Sequence, residues 1–274
     1  MNKNNITLSS IKEMNYPDFV WLVNQWNVPP GSYDTLSRWI NYWRINNNSN
    51  ILEIACTTWF SIREICYTTK ASGLWFDFSH KAIENAIYNK EHFTKWLNLD
   101  FIQADWYKFD NNWKKYSHVI VWWALKFFPD PEKMINRITD FLEDDGLILA
   151  SPFYWVWNMP LELIEKAKKV FWFTITSEDY KEIMKLYSKF EIIYEERKKM
   201  ELENDDEINK YCKSTIDLAV KKLWINDDEI YNAMYNRLFE IREMSNELRK
   251  FQEYSILILR YRKNIYPNRL VELF

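Results

Sequence analysis

The sequence predicts an α/β fold built on a doubly wound, mostly parallel sheet. Short apolar runs alternate with segments of helical periodicity through the centre of the chain, which is the pattern of parallel strands joined by crossover helices. The 274 residues suffice for one large domain or for one domain with an appendage. We therefore expect a sheet domain with helical additions.

The elements follow a regular order. Two helices are predicted within residues 16–45, separated by the turn at Pro29, Pro30 and Gly31. Apolar runs then predict parallel strands, and the segments between them are predicted helices, the last of which covers 130–145. The predicted strands lie at 50–56, 72–78, 99–105, 118–123 and 146–153.

Beyond residue 160 the alternation loosens. Helical segments at 161–170 and 177–189 precede a predicted strand at 190–199, and a polar helical pair precedes a last strand at 253–263. We predict a helical N-terminal segment at 1–46, a Rossmann-like domain formed by 47–202 and 251–266, and a helical insertion or cap at 203–250.

Composition excludes several classes of protein. The formal net charge of −3 and the pI of 5.8 do not favour binding to nucleic acid or to an anionic membrane. Three cysteines and three histidines share no metal-ligand spacing, and no apolar run reaches the roughly 18 residues that span a bilayer. We predict a cytoplasmic protein that acts on a small molecule and holds no metal.

One carboxylate stands where an open parallel sheet binds its ligand. Such sheets bind ligands beyond the carboxyl ends of their strands, where the strand order reverses. Asp77 ends the second apolar run, 18 residues after Trp59, a distance that suits a carboxylate accepting hydrogen bonds from ribose hydroxyls. Alternatively, Asp77 caps the following helix, and the sequence leaves both interpretations open.

Four ordered segments resemble the signature segments of class I S-adenosylmethionine-dependent methyltransferases. They read ILEIACTTWF, GLWFDFS, LDFIQAD and FLEDDGLILASPF, and they cover residues 50–153. The resemblance implies a seven-stranded sheet with an antiparallel last strand and S-adenosylmethionine as the cofactor. It implies that Glu53 handles the methionine ammonium, Asp77 the ribose, and Asp105 the adenine edge. Further cofactor-binding positions by this resemblance are Ala55, Cys56, Thr57, Trp59, Phe78, Trp106 and Trp122.

The first segment departs from the family pattern at its glycines. The family's GxGxG positions fall on Ala55, Thr57 and Trp59. Ala55 is small and Thr57 offers a hydroxyl, and S-adenosylmethionine carries no phosphate that would need an array of backbone donors. Trp59 is different, because a left-handed backbone costs a residue with a Cβ roughly 1 kcal/mol or more.

Glycine and tryptophan usage is abnormal along the whole chain. An average glycine content near 7% predicts about 19 glycines, but the chain has 3 glycines and 15 tryptophans. Some bacterial lineages read the UGA codon as glycine and others as tryptophan, so we hypothesise that many tryptophans are glycine in the source cell. The alternative is a genuinely tryptophan-rich protein whose indoles pack the core or bind an aromatic ligand. The affected positions would include Trp59, Trp75, Trp106, Trp113, Trp122, Trp172 and Trp224, but not Trp21 or Trp39.

The sequence therefore predicts transfer of a methyl group from S-adenosylmethionine to a small-molecule acceptor. No catalytic base can be identified, and methyl transfer permits this because the sulfonium is already activated. One alternative is a catalytically inactive binding or scaffold protein whose tryptophans block the cofactor cleft. Another is a nicotinamide-dependent oxidoreductase, whose GxGxxG spacing would require its third glycine at Phe60.

Overall fold

The computed structural model divides the chain into two compact units. Unit 1 comprises Met1–Asn27, Phe153–Tyr180 and Lys198–Tyr254, and unit 2 comprises Val28–Pro152, Lys181–Arg197 and Ser255–Phe274. The three-part division predicted from the sequence stays a prediction. The residues that the structure describes are 6–55, 60–110, 112–122, 125, 128–172, 175 and 178–262.

Eight strands form the sheet in the described part of the chain. The order is β3-β2-β1-β4-β5-β8, followed by β6, and β7 also pairs with β8. The first five strands are parallel, and β8 runs antiparallel to β5 and β6. The bounds are β1 (Asn50–Ile54), β2 (Ser72–Asp77), β3 (Leu99–Gln103), β4 (Tyr116–Ile120), β5 (Leu142–Ala150), β6 (Phe153–Trp155), β7 (Glu191–Lys199) and β8 (Gln252–Arg260).

This architecture confirms the predicted fold class. The sheet is mostly parallel and its last strands are antiparallel, as expected, and the three-residue β6 adds one strand to the seven predicted. Residues 142–145 were predicted to be helical, but the helix ends at Thr139 and Leu142 already begins β5. Phe141 and Leu142 are buried, so the acidic residues after them belong to the start of a strand and not to a helix surface.

Helices connect the strands, and local caps fix where several of them begin. Asn204 and Glu207 form a reciprocal capping box, and the side chain of Asp130 accepts the Lys133 N–H at 2.8 Å. The bounds are α1 (Leu8–Glu13), α2 (Tyr16–Leu22), α3 (Ser32–Tyr42), α4 (Phe60–Thr69), α5 (His80–Phe93), α6 (Pro131–Thr139), α7 (Leu161–Phe171), α8 (Tyr180–Lys185), α9 (Asp205–Leu223) and α10 (Asp228–Arg249).

Unit 1 is held together by a helical core. Its buried residues come from three separate stretches of sequence and include Phe19, Ile216 and Leu238. The Arg237 guanidinium, on α10, donates hydrogen bonds to backbone carbonyls at the end of α1 and just after it, including that of Met14. Those carbonyls have no partner within the short helix, so Arg237 supplies a donor that the helix end requires.

Unit 2 packs α4 closely against its sheet. A Cβ at Gly73, on β2, would lie 2.8 Å from the terminal methyl groups of both Ile62 and Leu99, so a larger residue would require these side chains to move. Elsewhere in the core the rings of Phe76 and Phe109 stack with their centroids 4.3 Å apart. The close approach at Gly73 positions the start of α4 beside the end of β1. No helix in the described ranges is long and apolar enough to cross a membrane.

His118 makes the stability of the fold depend on pH. It is buried on β4, and burial lowers its pKa from 6.5 to about 4. Between these values the unfolded chain binds a proton that the native protein does not, so stability falls as the pH drops from 6.5 to 4. We expect this loss to be on the order of 3 kcal/mol in denaturant titrations.

The variant His118→Phe isolates this contribution. Its stability should change less with pH between 4 and 6.5 than that of the parent chain, and the difference between the two curves removes other titrating groups. Parallel curves for the two proteins in that range would contradict the assignment.

Candidate cofactor site

The carboxyl ends of four neighbouring strands meet at one edge of the unit 2 sheet. They lie in the order β3, β2, β1 and β4. The chain winds outward from β1 in one direction and then returns on the other side at β4, so the strand order reverses between β1 and β4. A ligand is expected beyond this edge. Ala55, Asp77, Asp105 and Trp122 all lie at these strand ends or just after them.

Glu53 lies on β1, one residue before the carboxyl end of the strand. It is fully buried, and its backbone is in register with Trp75 on one side and Ile120 on the other. Its carboxylate accepts the Ile62 N–H at 3.3 Å, in the first turn of α4. A negative charge is favourable at a helix N-terminus, so Glu53 ties the start of α4 to the central strand.

Ala55 adopts the backbone conformation that the family's first glycine would need. Its φ is 52°, in the left-handed region that favours glycine, and its N–H donates to the Phe76 carbonyl at 3.2 Å. The chain thus turns sharply as it leaves β1, although the position is an alanine. The predicted site residues Cys56, Thr57 and Trp59 lie outside the described residues.

Asp77 is a buried carboxylate at the end of β2. It is 5% exposed, and burial raises its pKa from 3.8 to about 6 despite backbone hydrogen bonds that act in the opposite direction. One of these bonds comes from the Ser79 N–H, at 2.8 Å. The N-cap of α5 is Ser79, whose hydroxyl accepts the Ala82 N–H at 3.3 Å. The Ser79 side chain therefore already caps α5, and helix capping does not explain why the Asp77 carboxylate is buried.

Asp105 differs from Asp77 in its surroundings. It lies in the turn after β3 and is exposed. The Tyr107 N–H donates to its carboxylate at 2.9 Å and lowers its pKa, and Lys108 lies 3.4 Å away. These contacts hold the turn in shape. They leave Asp105 at the predicted edge but give it no buried environment.

Three aromatic rings contact one another next to the ends of β2 and β3. Trp106 contacts Phe128 with ring centroids 4.3 Å apart and Phe78 with centroids 5.3 Å apart, both edge to face. Phe78 is 59% exposed, whereas Phe128 is buried. We call Phe78, Trp106 and Phe128 the aromatic cluster. Its apolar faces are suited to a planar base.

Trp75 and Trp122 are both buried near this edge. Trp75 is fully buried on β2 and contacts Phe101 edge to face at 5.9 Å. Trp122 follows β4 with a φ of 23° and is 2% exposed. Neither indole N–H has a hydrogen-bond partner among the described residues, although a buried Trp N–H usually finds one. Within the described part of the chain, both positions thus bury a hydrogen-bond donor that no acceptor satisfies.

Phe128 and Tyr33 were not predicted from the sequence. Phe128 completes the aromatic cluster, and Tyr33 contacts Phe60 edge to face at 5.6 Å, beside the start of α4. The FFPDP run that contains Phe128 follows the fourth strand, which is a signal that could have identified it. Tyr33 lies in a helical segment that precedes the sheet, so its sequence position gives no such signal.

Residues 45–211 match the family described as a methyltransferase domain. The match covers more than half of the chain. The chain belongs to this methyltransferase family. Membership confirms the resemblance to class I S-adenosylmethionine-dependent methyltransferases and, with it, S-adenosylmethionine as the cofactor. No curated protein matches the sequence.

Several solved structures share the fold. The MccD protein has a TM-score of 0.67 and 24% identity, covering 85% of this chain and 99% of its own. A methyltransferase from Geobacter sulfurreducens and one from Thiobacillus denitrificans, each in complex with S-adenosylhomocysteine, both have TM-scores of 0.63. Their identities are 12% and 16%; both cover 90% of this chain, and the matches span 98% and 99% of their own chains. At these identities the likeness concerns the fold.

The Asp77→Asn variant tests whether the Asp77 carboxylate stabilises or destabilises the folded protein. Because burial raises the pKa of Asp77 to about 6, the folded state loses stability as the pH rises from 3.8 through 6. Asparagine keeps the acceptor for Ser79 without the charge. We expect it to stabilise the ligand-free protein at pH 8 by about 1–3 kcal/mol in denaturant titrations, and to lose this advantage near pH 4. A destabilised variant at pH 8 would instead indicate a structural carboxylate.

Proposed function

We propose that this methyltransferase transfers the methyl group of S-adenosylmethionine to a small-molecule acceptor and that the residues at the sheet edge bind the cofactor. Asp77 carries the proposal, because it is a buried carboxylate at the strand end where a ribose would lie, and Ser79 already caps the next helix. Two ribose hydroxyls donating to this carboxylate would offset the cost of burying it.

The other edge residues suit the remaining parts of the cofactor. The left-handed backbone of Ala55 supports a turn under the methionine part, and Glu53 behind it provides negative charge toward an ammonium. The aromatic cluster offers apolar surface to adenine, with Asp105 as an acceptor next to Trp106. The set combines acceptors for hydroxyl and ammonium donors with aromatic faces for a base, which fits the donors and the base of S-adenosylmethionine.

Methyl transfer depends more on the alignment of the two substrates than on acid or base groups of the protein. Bound S-adenosylmethionine supplies a methyl group that its sulfonium has already activated. The protein's contribution is to hold cofactor and acceptor in line and to keep water out, and such alignment can supply much of the acceleration. Cys66 is no nucleophile for a covalent step, because burial raises its pKa to about 12.

A small-molecule acceptor is supported by charge. The formal net charge of −3 gives no general attraction for nucleic acid. The test is to incubate the protein with methyl-labelled S-adenosylmethionine and an extract of the source cell, and to separate acid-soluble molecules from macromolecules. We expect a new labelled compound in the acid-soluble fraction that chromatography separates from unreacted S-adenosylmethionine, and label transferred only to protein or nucleic acid would exclude a small-molecule acceptor.

Calorimetry with S-adenosylmethionine tests cofactor binding. It should be run on the protein with this sequence and on a variant with Trp59, Trp75 and Trp122 changed to glycine, which keeps Trp106 in the aromatic cluster. Binding by either protein supports the proposal. In whichever protein binds S-adenosylmethionine, the substitution Asp77→Asn should weaken its affinity by at least tenfold, since a charged acceptor is lost. Binding by neither protein would favour the alternative of a catalytically inactive scaffold.

Cofactor affinity should fall in acid. A carboxylate that accepts two hydroxyl donors is favoured in its ionised form, so binding lowers the pKa of Asp77 below its ligand-free value of about 6. Below pH 6 the affinity should therefore decrease by up to about tenfold per pH unit, and binding near pH 6 should release protons. Titrations in two buffers of different ionisation enthalpy measure that release. An affinity that does not change between pH 5 and 7 would remove Asp77 from the contacts.

A further inference from the structure

We propose that the residues at positions 113, 122, 172 and 224, written as tryptophan, are glycine in the protein made by the source cell. The inference rests on backbone conformation in both units and does not depend on the proposed function. It supports the hypothesis drawn from composition at four of the seven positions named there, which are Trp113, Trp122, Trp172 and Trp224.

Left-handed backbone is concentrated at tryptophans. Eleven non-glycine residues in the described part of the chain have a positive φ, and four of them are tryptophan. Tryptophan makes up 15 of the 274 residues of the chain, so it is strongly enriched at these positions. A bulky residue in this region is an outlier, because its Cβ approaches the following carbonyl at a cost of roughly 1–2 kcal/mol.

Trp224 occupies the glycine position of a helix C-terminal motif. It follows α9 with a φ of 56°, and its N–H donates to the Lys221 carbonyl at 3.4 Å. The next residue, Ile225, donates to the Val220 carbonyl at 2.9 Å. These two bonds define the Schellman motif, in which the residue at the place of Trp224 is usually glycine.

Trp172 follows α7 and forms a simpler C-terminal motif, the αL motif. Its φ is 62°, and its N–H donates to the Lys168 carbonyl at 2.9 Å, which is the single bond of the αL motif. Two helices therefore stop with glycine geometry and a tryptophan in the glycine place. Trp172 is 57% exposed and Trp224 is 81% exposed, so little burial offsets the strain.

Trp113 lies in a turn that favours glycine for another reason. Asn112 and Trp113 have consecutive positive φ values of 50° and 65°, the signs required at the two central residues of a type I′ turn. Asn-Gly is a preferred pair for that turn, and replacing Trp113 by glycine creates this pair. The indole of Trp113 is 93% exposed, so it contributes almost no packing.

Trp122 brings the inference to the candidate cofactor site. It has a φ of 23°, lies just after β4 at the ligand edge, and buries an indole N–H that has no partner among the described residues. Leaving such a donor unsatisfied is unfavourable. Glycine at this position would remove both the strain and the unpaired donor, and would leave space at the edge where the cofactor is expected.

Lysine and arginine also occupy left-handed positions, but they differ from tryptophan in charge. Lys70 ends α4 with a φ of 63°, and Arg44 follows α3 with a φ of 52°. A basic residue gains from the negative end of a helix dipole, and its flexible side chain can extend into water. An indole has no charge to gain from the dipole, so the same explanation does not extend to Trp172 or Trp224.

Peptide masses from the native protein decide the proposal. The protein should be isolated from the source cell, and the peptides that contain positions 113, 122, 172 and 224 should carry glycine, each lighter than the written sequence. Trp39 is fully buried on α3, and its peptide should keep tryptophan. The gene should show UGA at the first four positions and UGG at position 39. Tryptophan in the four native peptides overturns the proposal.

Recombinant variants test the conformational reason separately. Trp113→Gly and Trp224→Gly should each raise the folding equilibrium constant roughly two- to tenfold, measured by denaturant titration. Trp224→Ala removes the indole but keeps the Cβ, so it should not give this gain. The matched control is Trp157→Gly, because Trp157 is 71% exposed but is not among the left-handed residues, and it should give no gain. Equal effects at 157 and 224 overturn the conformational argument, and none of these readouts involves the cofactor.

Discussion

The pairing of β1 with strands on both sides is the constraint on which the rest of unit 2 depends. Hydrogen bonding to β2 and β4 places β1 inside the sheet, where residues 51–54 are buried, and brings four strand ends to one edge. A buried strand can carry an acid only where the acid has a partner, and Glu53 has one in the Ile62 N–H at the start of α4. This hydrogen bond joins β1 directly to the first turn of α4, and the other edge residues are positioned relative to these two elements.

Asp77 and Asp105 have different surroundings, although both follow strands at the same edge of the sheet. Both acids follow parallel strands at the same edge, but only Asp77 is buried with a raised pKa. Asp105 is exposed, and its contacts with Tyr107 and Lys108 stabilise its own turn. A protein keeps a buried charge of this kind at a cost in stability, and such costs collect at functional sites. The geometry therefore supports Asp77 as the principal cofactor contact more strongly than it supports Asp105.

The sequence predicts the sheet and its ligand edge well because both depend on local patterns. Apolar runs give the parallel strands, and each acid is identified by its place after a run. The end of α6 was predicted wrongly because the acidic residues 143–145 suit a helix surface as well as the start of β5, and only pairing such as that of Tyr116 with Leu142 decides between them. Tyr33 was missed for a related reason, since its contact with Phe60 joins segments that are distant in sequence. The core of unit 1 likewise joins distant segments.

Trp122 is both conformationally strained and located at the edge where the cofactor is expected. Trp122 combines an unfavourable φ, a buried N–H without a partner among the described residues, and a position just beyond β4. An enzyme could tolerate one such feature for the sake of catalysis. The same left-handed strain recurs at Trp113, Trp172 and Trp224, where the indoles are mostly exposed, so catalysis cannot be its general cause. A single reassigned codon accounts for the exposed turns and the buried edge together, and glycine at position 122 would remove a buried indole from the edge where the cofactor is expected.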